Sequence, residues 1–310
     1  MNHLKKKRIL ITGGSGLIGT YLTKLLVSKK KYKITIVDLV PPKIKGADFI
    51  KADFSNAKIM LPLLQRADYL FHLAAMVGVD NCRLHPKTLY QVNYLNTKKI
   101  IDWAIKSGIK KIVFSSSSEV YGNSKAIPFK EDVKVFPISD YAKYKLFIEQ
   151  YLKKMTQKTG VKVGIARFFN VYGPFQKEMV IPDFISAASG NEPLTVFGDG
   201  HQTRSFTYVE DAVLGLYKTL IYNKSDYEIF NIGSEQEIKI KDLAKLILEK
   251  NPTSKSKIVH IPYGSEHRDK KLEIYRRVPD IKKAKSLLGF KTKVTLKQGI
   301  KKLELYNSSE

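Results

Sequence analysis

Three residues have the types and spacing that acid–base chemistry on a hydroxyl group requires: Ser117, Tyr141 and Lys145. Tyr141 and Lys145 stand four apart, so on a helix their side chains share one face. An ammonium beside a phenol stabilises phenolate, which predicts a Tyr141 pKa lowered from about 10 towards that of a useful general base. Ser117 belongs to the run Ser115 to Ser118 at the end of a predicted strand, where its hydroxyl would bond the same substrate oxygen and steady the developing charge. Tyr144 has no such partner, because Ile148 stands four residues on. Taken alone, a Tyr-x-x-x-Lys pair is more often an ordinary amphipathic surface pair.

A second chemistry lies in Thr12-Gly13-Gly14-Ser15-Gly16-Leu17-Ile18-Gly19, which satisfies G-x-G-x-x-G and G-x-x-G-x-x-G spacings at once. A tight turn must leave a strand, the backbone must approach a pyrophosphate, and a helix must start with its N–H groups facing the phosphates. The segment follows the apolar run Arg8 to Thr12 and precedes apolar residues at helical spacing from Leu17 to Val27. Asp38 ends the next predicted strand, where a carboxylate accepts hydrogen bonds from an adenosine ribose and repels a 2′-phosphate. The expected cofactor is therefore NAD rather than NADP, held by Gly13, Gly16, Leu17, Ile18, Gly19 and Asp38. Asp53, followed by Phe54, is a candidate for the adenine amino group, with a plain loop aspartate as the alternative.

These residues need a scaffold, and the pattern supplies one. Strand, turn and helix alternate through a strand at Lys33 to Val40, a strand at Tyr69 to Leu73, a helix at Thr88 to Ser107, a strand at Lys111 to Ser115, a helix at Ser139 to Thr159 and a strand at Lys162 to Phe168. Such repetition predicts an α/β fold with a parallel sheet covered by helices on both faces. After Asn170, Gly173-Pro174, Gly190, Pro193 and Gly198 to Gly200 break the chain into short elements. Helices are predicted near Val209 to Tyr222, Ile240 to Lys250 and Ile281 to Leu288. Residues 1–169 are expected to form the NAD-binding domain, joined by a segment near 206–235, and residues 170–310 mainly a smaller substrate-binding domain.

Composition narrows the partners. The chain has 310 residues with 43% hydrophobic and 27% charged, and no apolar run reaches the ~20 residues of a membrane span. The basic start lacks a small-residue cleavage pattern, so the cytoplasm is the expected compartment. The formal charge of +25 is spread as lysines over many predicted helices, which points to a solvated surface with some attraction for phosphorylated substrates. Nucleic-acid and membrane binding are not expected. The single cysteine, Cys82, excludes an internal disulfide and is read as a small core or near-core residue. His72 and His201 lack neighbours at metal-ligand spacing and are read as structural or loop residues, so no metal is expected.

With these motifs in place the chain resembles the extended short-chain dehydrogenase/reductase family of nucleotide-sugar epimerases, dehydratases and decarboxylases. TGGSGLIG at 12–19, HLAA at 72–75, SSSSEVYG at 115–122, YAKYK at 141–145, RFFNVYGP at 167–174 and PLTVFGDGHQTRSFTYVEDAV at 193–213 carry the resemblance. It implies a modified Rossmann fold with tightly held NAD, a small C-terminal substrate domain, and a homodimer built from two helices of each subunit. It further implies that Leu73, Ala74, Ala75 and Ser115 line the cofactor site and that Asn93 supports it. Tyr141 and Lys145 would bond the nicotinamide ribose. Asn170 would hold the diphosphate of a nucleotide-diphosphate sugar, Leu194 and Val196 would bracket its base, and Arg204 and Arg277 would neutralise the diphosphate.

Tyr141 would take the C4 hydroxyl proton of the sugar as hydride passes to NAD, and the 4-keto sugar that results has three fates. Hydride returned to the other face gives a 4-epimer, loss of water a 4-keto-6-deoxy sugar, and loss of a carboxylate a pentose. Ser118-Glu119 replaces the Asp-Glu of glucose-type 4,6-dehydratases, while Glu119 itself matches the acid/base of mannose-type dehydratases and glucuronate decarboxylases. Leu146 stands where a decarboxylase would carry an arginine for the substrate carboxylate. The expected reaction is thus 4-epimerisation, with a UDP-hexose as the expected substrate. A dehydratase or UDP-glucuronate decarboxylase using Glu119 is the alternative, and a non-catalytic NAD sensor the alternative of another class.

Overall fold

Strand β1, Lys7–Thr12, sends Ile9 and Ile11 to one face of a sheet and Leu10 to the other, and all three are buried. A strand apolar on both faces needs helices on both sides. Six more strands follow: β2 Tyr32–Asp38, β3 Asp48–Lys51, β4 Tyr69–His72, β5 Lys111–Ser117, β6 Lys162–Phe168 and β7 Tyr227–Ile232. They pair in parallel as one seven-stranded sheet in the order β7-β6-β5-β4-β1-β2-β3. The computed structural model describes residues 6–176, 178–266 and 270–307.

The expected doubly wound α/β sheet is thus present. Leu22 and Leu26 of helix Leu17–Ser28, with Leu216 and Leu220 of helix Val209–Ile221, cover one face. The other face is covered by helices Ala57–Arg66, Thr97–Lys106 and Asp140–Thr159 through Met60, Leu64, Ile100, Ile101, Ile148 and Leu152. Full burial of each such side chain stabilises the fold by about 1.5–3 kcal/mol before entropy is counted. From β1 the chain winds outward to β2 and β3, and from β4 outward in the other direction. The carboxyl ends of β1 and β4 therefore flank the crevice where their outgoing loops diverge, the place where open α/β sheets bind ligands.

Beyond Phe168 the elements are short. Leu194–Phe197 pairs with Ile258–Ile261, and Thr203–Ser205 lies between Glu237–Lys239 and Arg276–Arg277. Helices Val180–Ser189, Ile240–Lys250, Lys282–Leu288 and Leu296–Asn307 pack around them.

Two predicted elements differ from the structure in ways that bear on the site. The strand predicted to reach Val40 stops at Asp38, whose carboxylate accepts the Leu39 amide at 2.7 Å and turns the chain outward. The helix predicted from Thr88 to Ser107 is a short helix Pro86–Tyr90, a π-helical turn Gln91–Asn96 and a helix Thr97–Lys106. The widened turn carries Asn93, in keeping with the tendency of π-turns to mark functional positions. Among the described residues no helix is long and apolar enough to cross a membrane.

Candidate active site

The glycine loop fills the crevice between β1 and β4. Gly13 has φ +73°, and a methyl group there would lie 2.5 Å from the Ala74 amide nitrogen, so only glycine lets the two loops touch. Gly19 is as tight, with its missing methyl 2.3 Å from the Gly13 carbonyl oxygen. Gly16 is exposed and meets nothing nearer than 3.6 Å. It caps helix Leu17–Ser28 without any side-chain hydrogen bond to the helix amides. A constricted turn, an open approach and uncapped amides are what a pyrophosphate needs, so the residues present fit a dinucleotide.

Asp38 lies beside this loop. One carboxylate oxygen accepts the Ser15 amide at 3.0 Å and the other the Leu39 amide at 2.7 Å. A carboxylate offers about four acceptor sites, so capacity for ribose hydroxyls remains. Leu17, Ile18, Leu73, Ala74 and Ala75 are all half-buried around the crevice. Asn93 clamps the loop after β4 with a pair of bonds, accepting the Met76 amide at 2.8 Å and donating to the Met76 carbonyl at 2.9 Å. Asp53 is exposed and accepts the Ser55 amide at 2.7 Å, closing its own turn, while Phe54 packs edge-on against His72.

Helix Asp140–Thr159 begins at the Ser139 cap, whose hydroxyl accepts the Ala142 amide, and places Tyr141 and Lys145 over the end of β5. Lys145 is 3% exposed, and its ammonium donates to the Ser115 carbonyl at 2.7 Å. That ammonium stands 5.7 Å from the centre of the Tyr141 ring and 4.8 Å from that of Phe114. The expected lowering of the Tyr141 pKa is not what the chain's own groups produce. Burial first, then the charge of Glu119 and the neighbouring Cys82 push the phenol above its usual value, and the Ser117 hydroxyl and Arg277 guanidinium pull it back in part. The physical reason is that Lys145 is directed to a backbone carbonyl, and burial also lowers its own pKa to about 8.

Glu119 sits in the 3-10 turn that follows β5, with its amide bonded to the Ser117 hydroxyl at 3.2 Å. Its carboxylate accepts the Ser139 hydroxyl at 3.2 Å and lies 3.8 Å from Arg277. Arg277 also reaches the Asn170 side-chain oxygen at 3.4 Å, and its buried Nε has no hydrogen-bond partner among the described residues. Asn170 adopts φ +36° and donates to the Ser205 carbonyl at 3.0 Å. The structure therefore joins Ser117, Glu119 and Arg277 in one group that acts on Tyr141, with Asn170 reached by Arg277.

Three of the residues expected at the substrate are buried in this structure. Leu194 and Val196 are fully buried in the main core, because alternation along their strand turns both inward and leaves Thr195 and Phe197 on the other face. Arg204 is 7% exposed, ion-paired with Glu273 and bonded to the Thr203 and Ile274 carbonyls at 2.8 and 2.7 Å. Its charge is matched inside the protein, and it ties the strand Thr203–Ser205 to the segment that precedes Arg276–Arg277.

His72 lies between two threonines, its Nδ1 2.7 Å from the Thr12 hydroxyl and its Nε2 3.0 Å from that of Thr97. The Thr97 hydroxyl donates to the Val92 carbonyl, so it receives the Nε2 proton and Nδ1 accepts from Thr12. Burial, helped by the Lys145 charge, lowers the His72 pKa to about 3. The unfolded chain then binds the extra proton as pH falls below about 6.5, and stability present above that value is lost on the way to the folded pKa. Going from pH 7 to pH 5 is expected to cost about 2 kcal/mol through this residue. Urea unfolding of wild type and His72→Gln at both pH values checks this; an equal acid loss in the two proteins would refute it.

Cys82, read from sequence as a small core residue, proves to be part of this neighbourhood. Burial and the Glu119 charge raise its thiol pKa to about 11, with the Lys145 ammonium opposing them. Nothing in the sequence marks it, because the short helix Val79–Leu84 brings it there. Glu149, behind the serines, is equally unmarked, and Arg167 is marked only as the start of the RFFNVYGP motif with no role attached.

A profile of the NAD dependent epimerase/dehydratase family matches residues 9–233. The chain is 37% identical over 313 residues to a UDP-N-acetyl-alpha-D-glucosaminuronate decarboxylase of Bacillus cytotoxicus, covering 96% of both proteins. Among solved structures, UDP-glucose 4-epimerase from Thermotoga maritima with UDP-glucose has a TM-score of 0.88 and 30% identity, over 97% of this chain and 99% of that one. UDP-glucuronic acid 4-epimerase from Bacillus cereus, in complex with UDP-glucuronic acid and NAD, has a TM-score of 0.87 and 28% identity, over 97% and 99%.

Proposed function

The chain belongs to the NAD-dependent epimerase/dehydratase family, and from that premise we propose that it is a nucleotide-sugar 4-epimerase, acting on a UDP-hexose through a transient 4-keto sugar. The observation that carries the choice of reaction is the setting of position 146. Leu146 packs against Val120, Tyr121, Phe129 and Phe169, an apolar cluster that offers a substrate carboxylate nothing to bind. A decarboxylase is the second reading, favoured by the Bacillus cytotoxicus relative and by the pairing of Glu119 with Arg277.

Bound NAD supplies the acceptor, and on the return step the donor, of the sugar's hydride. Tyr141 takes the proton of the C4 hydroxyl as the C4–H bond breaks, and gives it back when the C4–H bond reforms on the opposite face. Ser117 donates to the same oxygen, compensating charge where it develops. Lys145 holds the ribose side of the cleft. Arg277 and Asn170 face the diphosphate, for which the Nε of Arg277, unpartnered among the described residues, leaves a donor. Gly13, Gly16, Leu17, Ile18, Gly19, Asp38, Asp53, Phe54, Leu73, Ala74, Ala75, Asn93 and Ser115 form the cofactor side of the reading.

The reading assigns residues 1–169 with 206–235 to the cofactor and most of 170–310 to the substrate. The return of β7 to the sheet beside β6 supports that division. It also includes a cytoplasmic homodimer. Tyr90 and Phe147, exposed at 41% and 44% on neighbouring helices with Tyr94 and Tyr144 stacked between them, support the two-helix interface.

Incubation with a panel of UDP-sugars, followed by mass spectrometry and proton NMR, tests the reaction. Unchanged mass with inverted C4 is expected. Loss of carbon dioxide from a uronic acid substrate would put the decarboxylase in its place, and loss of water a dehydratase.

A further inference from the structure

Directly behind the serines lies a buried polar group with no part in the proton transfer described above. Glu149 is one turn beyond Lys145 on the same helix and is 2% exposed. Its carboxylate accepts the Ser116 hydroxyl at 2.5 Å and the Arg167 guanidinium twice, at 3.0 and 2.6 Å. Arg167, on β6, stacks 4.8 Å from the centre of the Tyr121 ring and donates to the Glu131 carbonyl at 3.3 Å. The Tyr121 hydroxyl in turn donates to Asn231 at 2.6 Å, and Asn231 belongs to β7. One network thus spans the catalytic helix and three strands.

From this geometry we infer that Glu149, backed by Arg167, is a positioning residue: it pins the end of β5 that carries Ser115 and Ser117, and it stabilises the ammonium form of Lys145. The first half follows from the bonds. Ser116 lies between the residue whose carbonyl receives Lys145 and the residue whose hydroxyl acts on Tyr141. A shift at Ser116 moves both.

The second half follows from charge. Lys145 is buried with the Phe114 ring, Tyr141, Cys82 of the short helix and His72 of β4 facing it, and none of these carries negative charge near neutral pH. Glu149 leads the groups that oppose the loss of its proton. A buried amine otherwise tends to neutralise, and a neutral amine is a weaker donor to a ribose and to the Ser115 carbonyl. Arg167 pairs with Glu149 at 2.6 Å and supplies the opposite charge that a buried carboxylate needs.

The inference rests on Lys145 belonging to the catalytic centre, and its test needs no sugar. Lysine side chains labelled with 15N and 13C are followed by NMR against pH, with Lys145→Met identifying the signal. In wild type the Lys145 midpoint is expected near the lowered value of about 8. Glu149→Gln keeps hydrogen-bonding capacity and removes the charge, so the midpoint should fall by about one unit, a tenfold change in the protonation equilibrium. If the single variant does not fold, Glu149→Gln/Arg167→Gln, which has no unpaired charge, takes its place with the same direction expected. A purely structural Glu149 would lower the unfolding midpoint and leave the Lys145 titration within a few tenths of wild type, and that result would overturn the inference. Failure of the UDP-sugar panel would leave the titration unaffected, so the two readings fail separately.

Discussion

Tyr141→Phe is expected to lower turnover on the nucleotide sugar about 10³-fold while leaving NAD content and the unfolding midpoint close to wild type. A positioned acid–base group contributes about 10²–10⁴-fold, and removing the oxygen removes that contribution whole. The helix should not notice. Tyr141 sits in the first turn, whose cap is the Ser139 hydroxyl bonded to the Ala142 amide, and neither atom involves the phenol. The hydroxyl's own hydrogen bonding, to Ser117, is worth only about 1 kcal/mol. Single-turnover formation of reduced cofactor, read by absorbance, separates this from a binding defect: wild type should show it and the variant should not. Turnover of the variant within tenfold of wild type would take Tyr141 out of the proton-transfer role.

Much of this site could be read before any coordinates, and the reason is range. The Tyr141–Lys145 face, the glycine loop with Asp38, and the βαβ alternation depend on residues within about one element of each other, where spacing determines geometry. What the spacing could not show is where long side chains end. Lys145 is four residues from Tyr141, yet its ammonium goes to the carbonyl of Ser115 on β5. Arg204 meets Glu273 across 69 residues, a pairing that no local pattern announces. The inward set of Leu194 and Val196 was legible in principle, because a strand that alternates Leu-x-Val turns one face to the core. Cys82 and the pairing of Glu149 with Arg167 were hidden for the same reason as the partner of Arg204: each acquires its neighbours only when the chain folds.

Gly19→Val is the complementary case, in which chemistry is lost through shape alone. A side chain at position 19 would begin 2.3 Å from the Gly13 carbonyl oxygen and 2.6 Å from the Gly14 Cα, so backbone rather than a yielding side chain must move. Gly13 cannot give way, because it lies against the Ala74 amide on its other side. The helix start must therefore lift from the sheet, and the amides beyond Gly16 lose their aim. Overpacking of this kind costs about 1–3 kcal/mol of stability. A comparable loss from phosphate binding weakens NAD by roughly 100-fold, since each 1.4 kcal/mol is tenfold. Gly190→Ala is the matched control, as its added methyl would meet nothing nearer than 3.4 Å, in a turn far along the chain from the loop. Calorimetric titration of nucleotide-stripped protein with NAD compares the three proteins. Wild-type affinity in Gly19→Val would mean that the loop does not hold the pyrophosphate, and the cofactor assignment would then have to rest on Asp38 and the crevice alone.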